Sequence, residues 1–533
     1  MIDRVDYIIV GAGSSGCVLA SELSSTPSNS VLVVESGPMD RSFLIDMPRG
    51  IGKLLMPGNP HVWSYGVNRG GNRGSEVWVK GRAIGGSSSV NGMIYARGFA
   101  SDYDRWAELG CTGWAWDDIF PHFLAMEDHQ LGATSERGVG GPLRLTPHPR
   151  DAVGAELCEA VIEAAGQAGI PRVDDTNASP AGGIAYQTRN IWQGRRQSAS
   201  KAFLHPAMSR PNLTVSADTD VLRIVFEGRK AIGIDVRDKS GERRILANRE
   251  VILSAGAIQS PKLLQLSGVG NAKILQGFGI EVVHDLPEVG QNLQEHFYLQ
   301  TKYRVTGGSL NSEFAGLKLL WNVLRYAVAH SGPMTHAAQE LIGYIKTDPA
   351  LARPDCQIGV GLYSMGKGPK GLVLDKEPGF TVGGYPMHPR SRGEIQIASA
   401  DPDIPPAITA NYLNDPLDRA TAVAMVRSLR KIMAQPAIAS MVIEELAPGR
   451  SVESDDAILD YYYDNGGTAF HVSGTCRMGS DDAAVTDPAA RVRGISGLRV
   501  VDTSIFPELP SGNTNAPAMA AGRHIGKMML AER

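Results

Sequence analysis

Val5-Asp6-Tyr7-Ile8-Ile9-Val10-Gly11-Ala12-Gly13-Ser14-Ser15-Gly16-Cys17-Val18-Leu19-Ala20-Ser21-Glu22-Leu23 is the stretch whose reading decides the fold. Val5–Val10 is a short apolar run, the size of a buried parallel strand. Residues 17–23 read as a helix, and a second apolar run, Val31–Val34, ends at Glu35. The order is strand, G-x-G-x-x-G, helix, strand, acid. Gly11 permits a tight turn, Gly13 lets a pyrophosphate approach the backbone, and Gly16 lets the helix pack close on the sheet. The helix N-terminus offers free N–H groups and partial positive charge to phosphate. Glu35 stands where an acid accepts hydrogen bonds from a ribose. A lone glycine motif would carry little weight, since such turns also arise for structural reasons; here every flanking element fits a dinucleotide site. The motif does not separate FAD from NAD.

At 533 residues the chain is long enough for two or more domains. Hydrophobic content of 43% and charged content of 20% are those of a globular protein. A net charge of −4, with scattered Lys and Arg, offers no field for nucleic acid. Cys17, Cys111, Cys158, Cys356 and Cys476 show no C-x-x-C and no zinc spacing, so free thiols in a reducing compartment are expected. The first strand starts almost at once, which leaves no room for a signal peptide and predicts a cytoplasmic protein. No run of about 20 uncharged apolar residues is present to span a membrane.

Residues 40–80 read as loop, with Trp63 and Tyr65 in a polar-aromatic run. Gly81-Arg82-Ala83-Ile84-Gly85-Gly86-Ser87-Ser88-Ser89-Val90-Asn91-Gly92 reads as a second loop pressed against a ligand. The tryptophan-rich stretch 100–130 predicts packed helices, as do 151–169 and 199–210. Strands are expected at 212–215, 221–226, 231–236 and 244–247. Residues 250–261 repeat the opening logic: a buried strand enters a small-residue turn, with Pro261 suited to the first turn of a helix. An apolar helix carrying Lys318 and Arg325 is expected over 315–330. It is assigned to a domain or dimer interface in preference to a membrane surface. Strands near 340–345, 357–362, 380–385 and 393–397 and a helix over 418–435 form a second unit. Leu498–Asp502 and the helix from Ala516 to Leu530 return to the first fold. The expected class is α/β: a discontinuous Rossmann-like domain from 1–150, 195–300 and 465–533, and a substrate domain from 310–460 with part of 151–194. The substrate domain is expected to hold a mainly antiparallel sheet with flanking helices.

Two groups are candidates for chemistry. His471 precedes a Gly-Thr turn and lies just before the chain returns to the nucleotide sheet, at a domain junction where clefts form. A neutral imidazole, with an ordinary pKa of about 6.5, suits removal of a hydroxyl proton as hydride leaves a carbinol carbon. Asn515, at the mouth of the last helix, is placed to hydrogen-bond the same oxygen, with that helix's positive end facing charge that gathers on a reduced flavin. A metal site is not indicated: H-E-x-x-H is absent and none of the 12 histidines forms a ligand-like pair. No G-x-S-x-G elbow supports a serine nucleophile.

These segments, in this order, resemble the glucose–methanol–choline (GMC) oxidoreductases over nearly the whole chain. The resemblance rests on Gly11-Ala12-Gly13, Gly85–Asn91, Gly256-Ala257-Ile258-Gln259-Ser260-Pro261, Ser267-Gly268-Val269-Gly270, Pro389–Gly393, His471–Thr475, Val501-Asp502 and Asn513-Thr514-Asn515-Ala516-Pro517. It implies FAD as cofactor and oxidation of an alcohol to a carbonyl, with His471 as general base and Asn515 as its partner. It assigns to FAD, in the opening unit, Gly11, Gly13, Ser14, Ser15, Gly16 and Glu35. From the second loop region come Trp63, Arg82, Gly85, Gly86, Ser87, Asn91 and Gly92. Val221, whose strand would pair with adenine, and Ala255 follow, and then Asp502, Asn515, Ala516 and Pro517. Covalently flavinylated relatives carry a His just before the residue matched by Asn91; Val90 stands there, so the FAD is expected to be non-covalent. The wording around His471 and Asn513–Pro517 resembles the bacterial alcohol and choline dehydrogenase branch, and Phe470 resembles the aryl-alcohol oxidases. A primary alcohol, benzylic or medium-chain, is the expected substrate, with oxygen or a quinone or other carrier as acceptor; an oligomer is compatible with the sequence. Two rivals inside the family, hydroxynitrile lyases and fatty-acid photodecarboxylases, keep FAD without this redox chemistry, and an NAD-dependent dehydrogenase is a more distant alternative.

Overall fold

The computed structural model describes residues 3–368 and 371–532. The opening run forms strand Arg4–Val10, with Ile8 and Ile9 fully buried. It lies parallel between Val31–Val34 and the end of Gly241–Leu253, which explains why it carries apolar residues on both faces. The seven-stranded sheet runs Leu213–Ser216, Val31–Val34, Arg4–Val10, Gly241–Leu253, Lys230–Asp238, Asp220–Glu227, with Leu498–Val500 joined to the far end of Gly241–Leu253. Strand Gly241–Leu253 is one long element where the sequence suggests two. Its first half pairs antiparallel with Lys230–Asp238, and its second half sits in the parallel sheet.

Helix Ser14–Leu23 packs on this sheet and against the last helix, Asn515–Ala531. Two glycines let the helices approach: a Cβ on Gly522 would stand 2.8 Å from the Ser15 carbonyl oxygen, and one on Gly526 would stand 3.0 Å from Glu22 Cβ. Glu22 pairs with Arg523 at 2.5 Å and Lys527 at 3.0 Å along the same seam.

The second sheet is antiparallel, in the order Val442–Ala447, Phe297–Val305, Gly379–Pro386, Cys356–Gly361, Leu341–Ile345, Gly183–Tyr186, with Gly467–Thr468 beside Phe297. Strand Phe297–Val305 therefore belongs here, although the sequence-based boundary leaves its first residues with the nucleotide sheet. Helix Pro416–Met433 covers this sheet through Val426, Leu429 and Ile432.

Other expectations need correction. Residues 40–80 are not mainly loop: they hold a hairpin, Val62–Asn68 with Ser75–Gly81, and short helical turns. Pro261 lies in the interior of helix Gly256–Leu266 and not in its first turn. A proline removes the N–H that would bond the carbonyl four residues back; that carbonyl, on Ala257, accepts instead from the Thr475 hydroxyl at 2.7 Å. The helix Gly316–Ala329 is not buried in a domain: it turns Leu317, Leu320 and Leu324 outward. All five cysteines are free and buried. Among the described residues no helix is long and apolar enough to cross a membrane.

Candidate active site

A cavity of about 620 Å³ runs between the two sheets. Its nucleotide end is built from the glycine loops. Gly11 adopts φ +100°, and a Cβ there would stand 2.5 Å from the Ser254 carbonyl oxygen. Gly13 has only ordinary contact at 3.7 Å, so the face a ligand would use stays open. Gly16 lies behind the loop: a Cβ would sit 2.0 Å from the Gly11 oxygen. The second loop docks on the first, with the Gly85 N–H donating to the Ala12 carbonyl at 2.7 Å and Gly86, at φ +52°, close against Gly13. Gly16, Gly85, Ala516 and Pro517 shape this end without lining it, whereas Gly11, Gly13, Ser14, Ser15, Gly86 and Ser87 line it.

Both Glu35 carboxylate oxygens are held, accepting from the backbone N–H groups of Ala12 at 2.9 Å and Gly37 at 3.0 Å. Burial pushes this carboxyl up to about 7 against those bonds. Arg82 lies over the Trp63 ring at 4.5 Å, and both line the cavity with Val221, on the sheet's edge strand, and Ala255. Asp502 accepts from the Gly256 N–H at 2.9 Å and the Ser260 hydroxyl at 2.6 Å, fixing the start of helix Gly256–Leu266 beside the cavity. The Asn91 side-chain oxygen accepts from the Met93 N–H at 3.0 Å and from the buried Arg196 guanidinium at 2.8 Å, which leaves its amino group for the cavity. Gly92 lines the cavity nearby, where a Cβ would stand 2.8 Å from Ala338 Cβ.

The two asparagines before the last helix separate. Asn515 opens that helix, and its side-chain oxygen accepts from the Ser14 hydroxyl at 2.7 Å. It ties together the N-termini of the first and last helices, two partial positive charges aimed at one place. Asn513, two residues earlier, is the one that reaches His471: its Nδ2 lies 3.0 Å from His471 Nε2. The sequence reading that gave Asn515 this position is off by two residues, because residue 515 has already entered the helix and turned to the nucleotide end.

His471 is buried, and burial first, then His296 and Lys80, holds its imidazolium well below the ordinary histidine range. Its tautomer follows from its neighbours. His296 Nε2 is 2.7 Å from the Met387 carbonyl, which only accepts, so His296 donates there and its Nδ1 carries a lone pair. His471 Nδ1 lies 2.9 Å from that lone pair and must donate to it. His471 Nε2 is then the unprotonated nitrogen, matching the N–H offered by Asn513. Gln357 Nε2, 3.2 Å from Asn513 Oδ1, holds the amide in that sense.

His471 is clamped through its backbone. The His471 N–H donates to Glu295 at 2.8 Å, Thr468 donates to the same carboxylate at 2.8 Å, and Lys80 Nζ donates to the Phe470 carbonyl at 2.7 Å. Phe470 sits at φ +66°, a costly conformation for a bulky residue, and these bonds hold it there. Its ring is 43% exposed at the cavity rim. Tyr385 stacks on His296 at 4.3 Å and meets His471 edge-on at 5.5 Å. The Tyr298 hydroxyl accepts from Gln339 at 2.9 Å in the opposite wall. Sequence reasoning missed Asn513 as partner, His296, Glu295 and Lys80. The only local signal was a histidine closing the polar run Gln291-Asn292-Leu293-Gln294-Glu295-His296. Among the described residues no group of His, Cys, Asp or Glu could hold a metal ion.

Family comparison fits this geometry. Profiles described as GMC oxidoreductase match residues 5–298 and 389–522. The chain belongs to the GMC oxidoreductases. It is 39% identical to the mitochondrial choline dehydrogenase of Homo sapiens, over 97% of this chain and 88% of that one. It is 36% identical to an alcohol dehydrogenase [acceptor] of Pseudomonas putida, over 98% and 95%. The solved pyridoxine 4-oxidase from Mesorbium loti superposes with a TM-score of 0.89 at 29% identity, covering 99% of this chain and all of that one. The enzyme is an FAD-dependent oxidoreductase acting on CH–OH donors. The open face at Gly13, the held Glu35 carboxylate and the paired helix N-termini fit a dinucleotide with its pyrophosphate at Ser14 and Asn515.

Proposed function

We propose that this GMC enzyme oxidises a neutral primary alcohol, benzylic or medium-chain aliphatic, to the aldehyde, with His471 as the general base. The observation that carries this reading is the double constraint on His471: Met387 through His296 on one side and Gln357 through Asn513 on the other leave a lone pair on Nε2, facing the cavity. A substrate hydroxyl that displaces the contact with Asn513 donates to this nitrogen and accepts from the Asn513 amide. The bound FAD supplies the hydride acceptor. Neutral substrates are favoured because the cavity carboxylates Glu35, Asp220, Asp403 and Asp502 belong to the nucleotide end, while Tyr298, Gln339, Gln357, Tyr385 and Phe470 bound the other. The exposed Phe470 ring suits stacking on a planar alcohol. Val90, a branched alkyl side chain beside Asn91, supports non-covalent FAD. Oxygen or a quinone or other carrier reoxidises the flavin.

Anaerobic stopped-flow reduction with benzyl alcohol, 1-octanol and choline tests this. Bleaching of the flavin band by the neutral alcohols is expected; bleaching by choline alone, or by none of the three, would overturn the substrate reading. His471→Ala should slow reduction by at least ~10² with FAD retained. Asn513→Ala should slow it roughly 10-fold or more, the worth of one polar contact. Asn515→Ala should instead weaken FAD retention.

A further inference from the structure

One buried carboxylate stands behind both constraints on His471. Asp102, 4% exposed, lies in the first turn of helix Ala100–Glu108. Its Oδ2 accepts from the Phe99 N–H at 2.8 Å and the Ser511 N–H at 2.7 Å. Its Oδ1 accepts from the Ser511 hydroxyl and from His388 Nε2, each at 3.0 Å. Burial alone would raise this carboxyl; His388 and the N–H groups of Ser511 and Phe99 outweigh it and hold the group below the ordinary carboxylate range. An ionised carboxylate only accepts, so His388 Nε2 carries a proton and donates. Exposed Arg353 lies further off, its Nη1 3.9 Å from Oδ1. A buried anion with four directed donors is a rigid junction, because moving any donor leaves charge unpaired.

Two partners of Asp102 adjoin the two ends of the chain that sets the His471 tautomer. His388 follows Met387, whose carbonyl accepts from His296. Ser511 precedes Asn513 by two residues. Between them Gly512, at φ +91°, has no room for a side chain: a Cβ would stand 2.6 Å from Gln357 Oε1 and 2.7 Å from the Tyr344 hydroxyl. The turn is pinned at Ser511 and wedged at Gly512, and it delivers Asn513 to His471 Nε2. Asp102, His388 and Ser511 do not line the cavity.

We propose that Asp102 is a positioning residue for alcohol oxidation: by tying His388 to Ser511 it fixes Met387 relative to Asn513, and so keeps the His471 Nε2 lone pair toward the substrate. The proposal rests on His471 as the general base. An asparagine at 102 still accepts through its oxygen, but its amino group opposes the N–H of whichever partner it faces, so it releases one arm. A freed Met387 carbonyl lets His296 present an N–H to His471 Nδ1, which moves the His471 proton to Nε2 and removes the lone pair. A freed turn withdraws the Asn513 amide that polarises the hydroxyl.

The test is a double-mutant cycle, read by anaerobic stopped-flow reduction of the FAD-loaded enzyme with the better of benzyl alcohol and 1-octanol. Asp102→Asn should slow the limiting rate by ~10-fold or more, the worth of one lost hydrogen bond, with FAD content unchanged. In enzyme that already carries Asn513→Ala and His296→Phe both arms are gone, and Asp102→Asn should slow reduction no further, within about twofold. A residue that merely supports the fold would cost the same factor in both backgrounds. Equal factors therefore overturn the proposal, as does a near-normal rate in Asp102→Asn. Two milder variants cut one arm each and serve if Asp102→Asn does not fold. Ser511→Ala should be non-additive with Asn513→Ala and additive with His296→Phe, and His388→Leu the reverse; additivity in all four pairs overturns the proposal. His471→Ala separates this proposal from the reading beneath it. Near-normal reduction there removes the base and the proposal with it, whereas slow reduction there with additive cycles removes only the role of Asp102.

Discussion

At the scale of single residues, His471 owes its protonation state to a neighbour, His296. His296 is pushed down to about 3, chiefly by burial, and stays neutral. It fixes the proton on His471 Nδ1 and, as the next cause after burial, helps keep His471 itself uncharged. A base must be neutral to act, so a lowered pKa extends the active range toward acid. Flavin reduction by alcohol should therefore show no protonation limb near the ordinary histidine value of about 6.5. His296→Phe keeps a ring against Tyr385 but removes the acceptor. Reduction should slow by roughly 10-fold, the worth of a lost hydrogen bond, and the acid limb should move upward. Stopped-flow reduction across pH measures both. An equal loss with an unmoved limb would mean that His296 only fills space.

At the scale of elements, the seam between helices Ser14–Leu23 and Asn515–Ala531 joins the start of the chain to its end and sets the positions of Ser14 and Asn515. Gly522→Val would place its Cβ 2.8 Å from the Ser15 carbonyl, which is backbone and cannot rotate away. The helices must part, at a cost of ~1–3 kcal/mol for overpacking. FAD should be released at a lower temperature in Gly522→Val, followed by flavin fluorescence on heating; an unchanged release temperature would show that the seam does not position the cofactor. The nucleotide sheet was legible in the sequence because its parts are local: a glycine motif, two buried strands and an acid lie within 35 residues of one another. The site was less so. His471 stood out by its place at a domain junction, but Lys80 and Glu295 reach its backbone from more than 170 residues away in sequence. Asn513 and Asn515 differ only by whether the helix has begun, a boundary that pattern cannot fix to one residue. Helix Gly316–Ala329 was found by periodicity, but an apolar stripe does not say whether it faces in or out, and here it faces out.

Across the whole molecule, buried histidines dominate the response to acid. His122 and His524 are pushed down to about 4 and His296 to about 3, in each case mainly by burial, and His148, His336 and His471 are lowered for the same leading reason. Each is neutral when folded and takes a proton near ~6.5 when unfolded. Its contribution is present above that value and is lost as pH falls toward its folded value, by up to ~1.4 kcal/mol per pH unit for each such group. Glu35 and Glu295, both raised to about 7 mainly by burial, act in the opposite sense. When folded they keep protons that the unfolded chain gives up above ~4.3, so they favour folding as pH falls through that window. With Asp502, also raised chiefly by burial, three such acids oppose six histidines, and the histidines prevail between about pH 6.5 and pH 4.5. The FAD-loaded enzyme should therefore unfold at a lower temperature at pH 5 than at pH 7, as read by tryptophan fluorescence at fixed ionic strength. A midpoint that holds or rises at pH 5 would mean that these imidazoles gain protons in the folded state, and with them that His471 is not held neutral by the burial on which its role as base depends.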